Sequence, residues 1–235
     1  MAKVTYSWIL PIKDEALSLP QLLSEITKTM KGKTYEIIAV NDASKDNSGK
    51  TLQALAKNYR ALKIIHLGQH VGKWGALKTG FTHAKGDIII TSDSDLQDGP
   101  KEVLKLLAKI QDGYDMSSGW RKRRYDPMYK LLLSKIGNNI VSILQGHHFH
   151  DINAPFKLYR REVLADLPTQ GSLMRFSMLF AKRLGYKIIE VPIVHRPRIY
   201  GKSKFGIVKY IRIIYDLILM LLLFSGSGRL HRHKK

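Results

Sequence analysis

Apolar runs that end directly in acidic residues constrain the fold of this chain more than any other feature of its sequence. Residues 35–40 form one such run and lead into Asn41 and Asp42, while residues 87–91, with three isoleucines, lead into the acidic turn 92–95. Stretches with a helical spacing of apolar residues separate these runs, and this alternation predicts βαβ units and a mostly parallel sheet. Ligands of such sheets bind beyond the carboxyl ends of the strands, so we expect the acids to converge on one crevice.

The alternation of strand and helix patterns is regular in the first half of the chain and irregular in the second. Further strands are predicted at residues 4–10, 62–67, 114–119 and 187–194, helices at 18–30, 49–59, 75–84, 100–111 and 128–144, and mixed signals at 156–164. The 235 residues correspond to about one and a half domains of average length. We therefore expect one α/β domain over residues 1–206, followed by a helix at 207–224 and a disordered basic tail at 225–235.

The charge of the chain is strongly positive, with 39 lysines and arginines against 19 acidic residues and a formal net charge of +20. Such an excess attracts anions: nucleic acid, an acidic membrane surface or a phosphorylated substrate. The chain contains no cysteine, which excludes disulfides and thiolate metal sites. Its N-terminal residues do not have the pattern of a signal peptide, so we expect the domain to face the cytoplasm.

The strongest motif consists of Asp93, Asp95 and Gln97, because two carboxylates and an amide directly follow a buried strand. Oxygen ligands of this kind suit a hard divalent ion such as Mg²⁺ or Mn²⁺, which commonly keeps part of its coordination shell for substrate phosphates. The alternative is that the acids only stabilise turns or cap a helix, as Asp and Ser often do. We predict a metal site at these three residues.

Asp42 and the glycine-rich segment 68–75 follow two other predicted strands. Asp42 is suited to accept hydrogen bonds from a base or ribose, and the alternative role is the N-cap of the next helix. The segment 68–75 resembles a phosphate-binding loop, but its spacing differs from a Walker A motif and Trp74 stands where that motif has Ser or Thr. No G-x-G-x-x-G follows the first strand, so we exclude a P-loop NTPase and a Rossmann dehydrogenase. A simple strand–helix turn remains the alternative for 68–75.

Two basic groups follow in the second half of the chain: Arg121, Lys122, Arg123, Arg124 and Lys130, and then Arg196, Arg198, Lys202 and Lys204. The second group alternates with Pro and Gly in a shaped loop, which suits the binding of phosphate oxygens, although a charge run is often only a solvated surface. His147, His148 and His150 cluster without the spacing of a helical zinc site, so we predict no metal there.

The segment 207–224 is strongly apolar, yet Lys209, Arg212 and Asp216 interrupt its first half. Its uncharged part, 217–224, is far shorter than the roughly 20 residues that span a bilayer. We therefore predict an amphipathic helix that lies at a membrane surface. The alternative is a helix packed in the core or in an oligomer interface.

These motifs together resemble those of the inverting family 2 glycosyltransferases of the GT-A fold, and most of all those of the dolichyl- and polyprenyl-phosphate glycosyltransferases. The resemblance extends over residues 4–206. Its matching segments are LPIKDE at 10–15 for P-x-x-N-E, VNDAS at 40–44 for V-D-D-G-S, DSDLQ at 93–97 for D-A-D-L-Q, and HRPR with GKSK within 195–204 for H-R-P-R and G-x-S-K. Asp14, Asn41 and Ala43 depart from the family pattern. The resemblance implies a Rossmann-like, mostly parallel sheet flanked by helices.

The resemblance also implies roles for individual residues. It assigns the nucleotide sugar to Pro11, Asp14, Glu15, Asp42, Asp93, Arg198, Lys202 and Lys204. It assigns Mg²⁺ or Mn²⁺ to Asp93, Asp95 and Gln97. It assigns the acceptor phosphate to Arg121, Lys130 and Ser134, which together with Asp95 are the expected catalytic residues. Many members of the family have Arg where Lys130 stands.

The implied reaction is the inverting transfer of a sugar from GDP-mannose or a UDP-sugar to a polyprenyl or dolichyl phosphate at the cytoplasmic face of a membrane. The chain lacks the Q-x-x-R-W motif of processive polysaccharide synthases. The alternatives are a nucleotidyltransferase on a similar scaffold and a basic RNA-binding protein. Because the sequence contains no RNA-binding motif, we expect no nucleic acid partner. A homo-oligomer and a membrane partner subunit both remain open.

Overall fold

The computed structural model describes residues 4–123, 139, 142, 148–168, 171–200, 215, 216 and 218–220. Several predictions lie wholly or mostly outside these residues: the helix at 128–144, the tail 225–235, and the side chains of Arg124, Lys130, Ser134, His147, Lys202 and Lys204. Of the predicted helix 207–224, five residues are described, and all five are helical. Within the described ranges, no helix is long and apolar enough to cross a membrane.

The described strands are β1 (Tyr6–Ile12), β2 (Tyr35–Asn41), β3 (Leu62–His66), β4 (Ile88–Thr91), β5 (Met116–Arg121), β6 (Lys157–Arg160) and β7 (Ile188–Ile193). They form one sheet in the order β3-β2-β1-β4-β6-β5-β7. Neighbouring strands pair in parallel except at β6, which runs antiparallel to both β4 and β5. Strand β6 begins at the end of the sheet where β5 finishes, so it runs in the opposite direction to β5. The prediction of a mostly parallel sheet is confirmed.

The described helices are α1 (Leu19–Thr29), α2 (Ser48–Ala56), α3 (Gly72–His83), α4 (Val103–Gln111), α5 (Arg161–Asp166) and α6 (Ser177–Arg183), with 3₁₀ turns at Pro100–Glu102 and Gly171–Phe176. The first four match predicted helices with shifted ends. Helix α3 begins three residues before its predicted start, at Gly72, whose φ of 79° is readily adopted only by glycine. The mixed signals at 156–164 correspond to β6 followed by α5. No sequence pattern predicted α6.

Helices cover both faces of the sheet, and the alternation of side chains along β1 shows why. Trp8 and Leu10 are fully buried in one core with α1 and α4, whereas Ile9 is fully buried in the other core, with α3 and α6. Successive side chains of a strand point to opposite faces, so a strand covered on both sides consists of a continuous apolar run. This two-sided packing holds the sheet rigid and leaves the carboxyl ends of its parallel strands to form a site.

Candidate functional site

A pocket opens at the carboxyl ends of β1, β2 and β4, where the sequence predicts that the acids converge. Parallel pairing sets Ile12 opposite Asn41 and Ile9 opposite Thr91, which brings the three strand ends to one edge. The pocket is lined by Pro11, Ile12, Lys13, Glu15, Asp42, His70, Lys73, Asp93, Ser94, Asp95 and Arg198. Five of the eight residues predicted to bind a nucleotide sugar therefore share this pocket with the predicted metal ligand Asp95.

Hydrogen bonds hold the acidic turn after β4 in place. Ser18 Oγ donates to the Ser94 carbonyl at 2.7 Å, and Ser94 Oγ donates to the Pro11 carbonyl at 3.1 Å. Within the turn, the Gln97 N–H donates to Asp95 Oδ1 at 3.1 Å. These bonds connect the turn to β1 and α1, so its two carboxylates stand on a fixed backbone.

The carboxyl group of Asp95 is buried, and burial raises its pKa above the ordinary value, with the neighbouring charge of Asp93 raising it further. Arg198 and the Gln97 N–H oppose this rise. Two carboxylates that disfavour each other's ionisation attract a cation, and their oxygens are ligands suited to Mg²⁺ or Mn²⁺. In the part of the chain that is described, no group of three or more His, Cys, Asp or Glu side chains is arranged to hold a metal. These two acids would therefore share an ion with oxygens of a bound substrate or water.

Two cations from distant parts of the chain contact these acids. Lys73, in the first turn of α3, forms an ion pair with Asp93. Arg198 Nη2 lies 2.5 Å from Asp95 Oδ2, and its Nη1 lies 3.9 Å from Glu15 Oε1. The glycine-rich segment and the basic loop thus belong to one site with the acidic turn. Lys73 was not among the predicted site residues, although its place in the segment 68–75 was a signal for it.

Asp42 anchors the glycine-rich segment. Its side chain is buried, its Oδ1 accepts a hydrogen bond from the Val71 N–H at 2.7 Å, and its Oδ2 lies 2.8 Å from His70 Nδ1. The alternative in which Asp42 caps the next helix is wrong, because α2 begins at Ser48 and its N-cap is Asn47. Segment 68–75 does connect a strand to a helix, as its alternative reading proposed, but it also lines the pocket through His70 and Lys73.

The turn after β1 is tied to the turn after β2. Asp14 has a φ of 49°, and its Oδ1 accepts a hydrogen bond from the Lys45 N–H at 2.6 Å. The Glu15 N–H donates to Ser48 Oγ at 2.8 Å, while the Glu15 side chain lines the pocket. Glu15 thus lines the pocket in which the donor is predicted to bind, and its own contact with a donor stays a prediction. Asp14 supports the wall of the pocket, and its own contact with a donor stays a prediction.

Gln97 connects the acidic turn to the basic loop. Its Nε2 lies 3.3 Å from His195 Nε2 and 3.4 Å from the Arg196 carbonyl oxygen. The Arg196 N–H donates to the Gln97 carbonyl at 2.7 Å, and His195 Nδ1 lies 2.7 Å from Asp98 Oδ1. These contacts bring the predicted basic loop beside the acids. The role of the Gln97 amide as a metal ligand stays a prediction.

Arg121, the predicted ligand of the acceptor phosphate, forms a bidentate ion pair with Asp151. Its Nε lies 2.7 Å from Asp151 Oδ2 and its Nη2 lies 2.9 Å from Oδ1. Burial alone lowers the pKa of Arg121, but the charge and hydrogen bonds of Asp151 outweigh it and raise the pKa, with Asp98 and Asp93 contributing. Because β5 and β4 both pair antiparallel with β6, they run in the same direction, and Arg121 at the end of β5 lies at the same end of the sheet as the acidic turn after β4.

A second carboxylate holds the backbone around Asp151. Glu190 of β7 accepts hydrogen bonds from the Asp151 N–H and the His150 N–H, both at 2.8 Å, and its Oε2 lies 3.0 Å from His150 Nδ1. His150 also stacks on Trp120, with ring centroids 3.9 Å apart. His150 is therefore held by a carboxylate and an aromatic ring. The sequence contained no signal for Asp151 or Glu190, since each is a single acid outside any motif.

Lys157, at the start of β6, is buried beside this pair. Its Nζ donates to the Ile152 carbonyl at 3.0 Å, the Arg175 carbonyl at 3.3 Å and Ser177 Oγ at 3.3 Å. Burial lowers its pKa to about 7, partly offset by the charge of Asp151. The charge of Lys73 lowers this pKa further. Sequence reasoning did not identify it.

The predicted residues Lys130, Ser134, Lys202 and Lys204 lie outside the described part of the chain. Their roles stay predictions. The predicted site residues that are described come from the ends of β1, β2, β4 and β5 and from the segment that follows β7.

The family model for Glycosyl transferase family 2 matches residues 7–167 of this chain. Glucosyl-3-phosphoglycerate synthase from Mycobacterium tuberculosis, in complex with Mn²⁺, UDP and phosphoglyceric acid, has a similar structure, with a TM-score of 0.75 and 19% identity. The match covers 96% of this chain and 81% of that one.

A mannosyltransferase from Pyrobaculum calidifontis, in complex with GDP-mannose and Mn²⁺, is also similar, with a TM-score of 0.66 and 19% identity over 97% of this chain and 66% of that one. At these identities the likeness shows the fold, and the predicted GT-A fold is confirmed. The Mn²⁺ in both complexes agrees with the predicted choice of Mg²⁺ or Mn²⁺.

Proposed function

Because the chain belongs to glycosyl transferase family 2, we propose that it transfers a sugar, with inversion, from GDP-mannose or a UDP-sugar to a polyprenyl or dolichyl phosphate. The observation that carries this proposal is the convergence of two charged groups. The pocket combines the acids Asp93 and Asp95 with the cations Lys73 and Arg198. Arg121 ends β5, which runs in the same direction as β4 because both strands pair antiparallel with β6. The group of Asp93, Asp95, Lys73 and Arg198 suits a metal-bound diphosphate. Arg121 suits an acceptor phosphate.

Asp93 and Asp95 would hold the Mg²⁺ or Mn²⁺ ion, with the Gln97 amide as the third predicted ligand. Their oxygens fit these ions, which usually take their remaining ligands from substrate phosphates and water. When bound, the ion supplies positive charge that stabilises a leaving nucleoside diphosphate. The two solved neighbours that hold Mn²⁺ with UDP or GDP-mannose support this assignment.

Lys73 and Arg198 bring positive charge to the same place from two other elements. The guanidinium group of Arg198 presents paired N–H donors that match the geometry of phosphate oxygens, and Lys73 supplies a mobile point charge. We assign both residues to the donor diphosphate, as positive charges placed where negative charge develops on the leaving group. Lys202 and Lys204 are predicted to add to this group.

The acceptor phosphate needs positioning more than deprotonation. A phosphate monoester has a second pKa of about 6, so it is already largely ionised near neutral pH. One of its oxygens attacks the anomeric carbon of the sugar. The bond from that carbon to the donor diphosphate breaks, and its electron pair leaves with the nucleoside diphosphate. Arg121, with Lys130 and Ser134 as predicted partners, holds the attacking oxygen in line.

The described part of the C-terminal helix supports a location at a membrane surface. Tyr215 and Ile218, three residues apart on one helix face, are 64% and 51% exposed, whereas Asp216 and Met220 are buried against the domain. We propose that the exposed apolar face lies on an anionic, cytoplasmic membrane surface, where the lipid acceptor resides. The high positive charge of the chain supports this location, because each basic residue near such a surface contributes about 1 kcal/mol.

A small phosphorylated acceptor is the second candidate, and the solved neighbours favour it. The synthase from M. tuberculosis holds phosphoglyceric acid in one complex and glycerol 3-phosphate in another. The Arg121–Asp151 pair would serve a small phosphate as well as a lipid phosphate. The two candidates differ in whether the acceptor carries a prenyl chain, and therefore in whether a membrane surface promotes the reaction.

The test is a transfer assay with purified protein, Mn²⁺ and a panel of nucleotide sugars. Dolichyl phosphate, undecaprenyl phosphate and 3-phosphoglycerate are offered as separate acceptors, and products are identified by mass spectrometry. We expect a prenyl-phosphate sugar and a free nucleoside diphosphate. Transfer to 3-phosphoglycerate alone would establish the second candidate. Release of pyrophosphate would instead indicate a nucleotidyltransferase, and transfer to none of the acceptors would contradict both glycosyltransferase proposals.

A further inference from the structure

A buried ion pair joins the C-terminal helix to the catalytic domain. Arg175 Nε lies 3.3 Å from Asp216 Oδ2, and Ser172 Oγ donates to Asp216 Oδ1 at 2.6 Å. Both charged side chains are almost inaccessible to solvent. Removing one partner of a buried ion pair leaves the other charge without compensation, so displacing the helix from this position is costly. Leu219 and Met220 pack into the core beside it.

The same arginine contacts the glycine-rich segment of the donor pocket. The guanidinium carbon of Arg175 lies 5.9 Å from the centre of the Trp74 ring, within the range of a cation–π interaction. Trp74 directly follows Lys73, which forms the ion pair with Asp93. Trp74 is also packed against the core that contains Met220. A shift of Arg175 would therefore move Trp74, the residue that directly follows Lys73.

Arg175 also borders the other half of the site. Its carbonyl accepts a hydrogen bond from Lys157 Nζ at 3.3 Å, and the same Nζ donates to the Ile152 carbonyl at 3.0 Å. Ile152 directly follows Asp151, the partner of Arg121. The side chain of Arg175 thus contacts Trp74 of the glycine-rich segment. Its carbonyl is linked through Lys157 to the residue that follows Asp151.

We propose that Arg175 is a positioning residue that couples the C-terminal helix to residues 70–74 of the glycine-rich segment, called the donor segment below. When Asp216 of the helix pairs with Arg175, the arginine holds Trp74 and with it the geometry of the donor segment. The donor-binding readout of this inference rests on the proposed function. The mechanism requires only that the Arg175–Asp216 pair and Trp74 form one packed unit. Loss of the Asp216 charge then shifts Arg175, Trp74 and Lys73 together, which weakens the binding of the donor diphosphate.

The experiment uses the full chain with Asp216→Asn and two readouts. The first is the Kd of a nucleotide sugar measured with Mn²⁺ by calorimetry, which we expect to be about three- to thirtyfold weaker than in the wild type. The second is ¹⁹F NMR of protein labelled with 5-fluorotryptophan, which has three signals because the chain has three tryptophans. The Trp74 signal, assigned with Trp74→Phe, should move, while those of Trp8 and Trp120 stay in place.

Two further variants separate positioning from general stability. Asp216→Glu keeps the charge, and we expect it to retain most of the donor affinity. Asp166→Asn removes the negative charge that accepts a hydrogen bond from the Tyr186 hydroxyl, a 2.5 Å contact within the same half of the domain. This variant should leave both the Kd and the Trp74 signal unchanged. All proteins are compared at a temperature where circular dichroism shows them to be folded.

A folded Asp216→Asn protein with wild-type Kd and an unmoved Trp74 signal would overturn the inference, as would equal effects of Asp166→Asn. A double-mutant cycle with Trp74→Leu provides a further check, because residues that act as a unit give non-additive changes in Kd. If no nucleotide sugar binds even to the wild type, the proposed function fails. The Trp74 signal still decides whether Asp216 controls the donor segment.

Discussion

Arg121 and Asp151 lie thirty residues apart in the chain and face each other in a bidentate ion pair with donor–acceptor distances of 2.7 and 2.9 Å. The pair leaves the Nη1 group of Arg121 outside these two hydrogen bonds. Glu190 in turn accepts a hydrogen bond from the Asp151 N–H. Asp151 therefore orients the arginine directly, and Glu190 holds Asp151 in place. The proposed acceptor phosphate would meet here a cation whose orientation is already set, which lowers the entropic cost of positioning.

Loss of this pair should destabilise the domain. Asp151→Asn leaves a buried guanidinium without its counter-charge, and we expect the free energy of unfolding to fall by about 3 kcal/mol. Urea unfolding monitored by circular dichroism measures the change. The control is Asp112→Asn, which removes the partner of Lys109 in an exposed pair with a 2.8 Å separation and should have little effect. Equal losses in the two variants would contradict a buried, structurally important pair.

Mn²⁺ binding should depend on pH through Asp95. Burial and the charge of Asp93 raise the pKa of this carboxyl, so protons compete with the metal at a higher pH than at an ordinary aspartate. We expect the Mn²⁺ affinity to fall as the pH is lowered toward the raised pKa of Asp95, measured by electron paramagnetic resonance of the free ion. Asp95→Asn should remove most of the affinity, whereas Asp112→Asn should leave it intact. Mn²⁺ binding that is unchanged in Asp95→Asn would exclude Asp95 as a ligand.

The contribution of Lys157 to the stability of the protein should rise with pH above neutrality. Burial lowers its pKa from 10.5 to about 7, so between these values the unfolded chain binds a proton that the folded protein does not. The contribution of Lys157 to the free energy of unfolding therefore increases as the pH rises from about 7 to 10.5. Lys157→Met lacks this contribution.

The measurement for Lys157 is the difference in free energy of unfolding between wild type and Lys157→Met at pH 7, 8.5 and 10. We expect the difference to move in favour of the wild type as the pH rises. The exposed Lys101→Met variant provides the comparison for loss of a lysine from the surface, and its difference should stay flat. A flat difference for Lys157→Met as well would show that Lys157 keeps its proton in the folded protein.

Loss of the Asp42 carboxyl group should weaken the binding of the donor and leave the binding of the acceptor unchanged. Asp42→Ala removes the acceptor of the Val71 N–H and the partner of His70, which frees the glycine-rich segment. Loss of such a buried hydrogen-bond partner costs about 1–3 kcal/mol. We expect the KM for the nucleotide sugar to rise about tenfold, with the KM for the acceptor unchanged. Asp42→Asn, which keeps an oxygen for Val71, should show a smaller rise. An equal rise in the acceptor KM would contradict this assignment.

The sequence determined the class of fold and the location of the acidic pocket. Apolar runs with acids at their ends recur along the first half of the chain. The spacing of apolar residues in each segment distinguishes strands from helices. The carboxyl ends of parallel strands lie at one edge of a sheet whatever the order of the strands. The convergence of Asp42, Asp93 and Asp95 could therefore be predicted without knowing which strand neighbours which.

The tertiary structure alone decided which charges meet. Lys73 pairs with Asp93, Arg198 pairs with Asp95 across 103 residues, and Arg121 pairs with Asp151. The Arg121–Asp151 pair depends on the antiparallel strand β6 between β4 and β5, and the Arg198–Asp95 pair depends on the return of the chain from β7 to the acidic turn. Periodicity and local propensity describe only neighbours along the chain. Contacts between residues far apart in the chain follow from strand order and packing, which no single segment encodes.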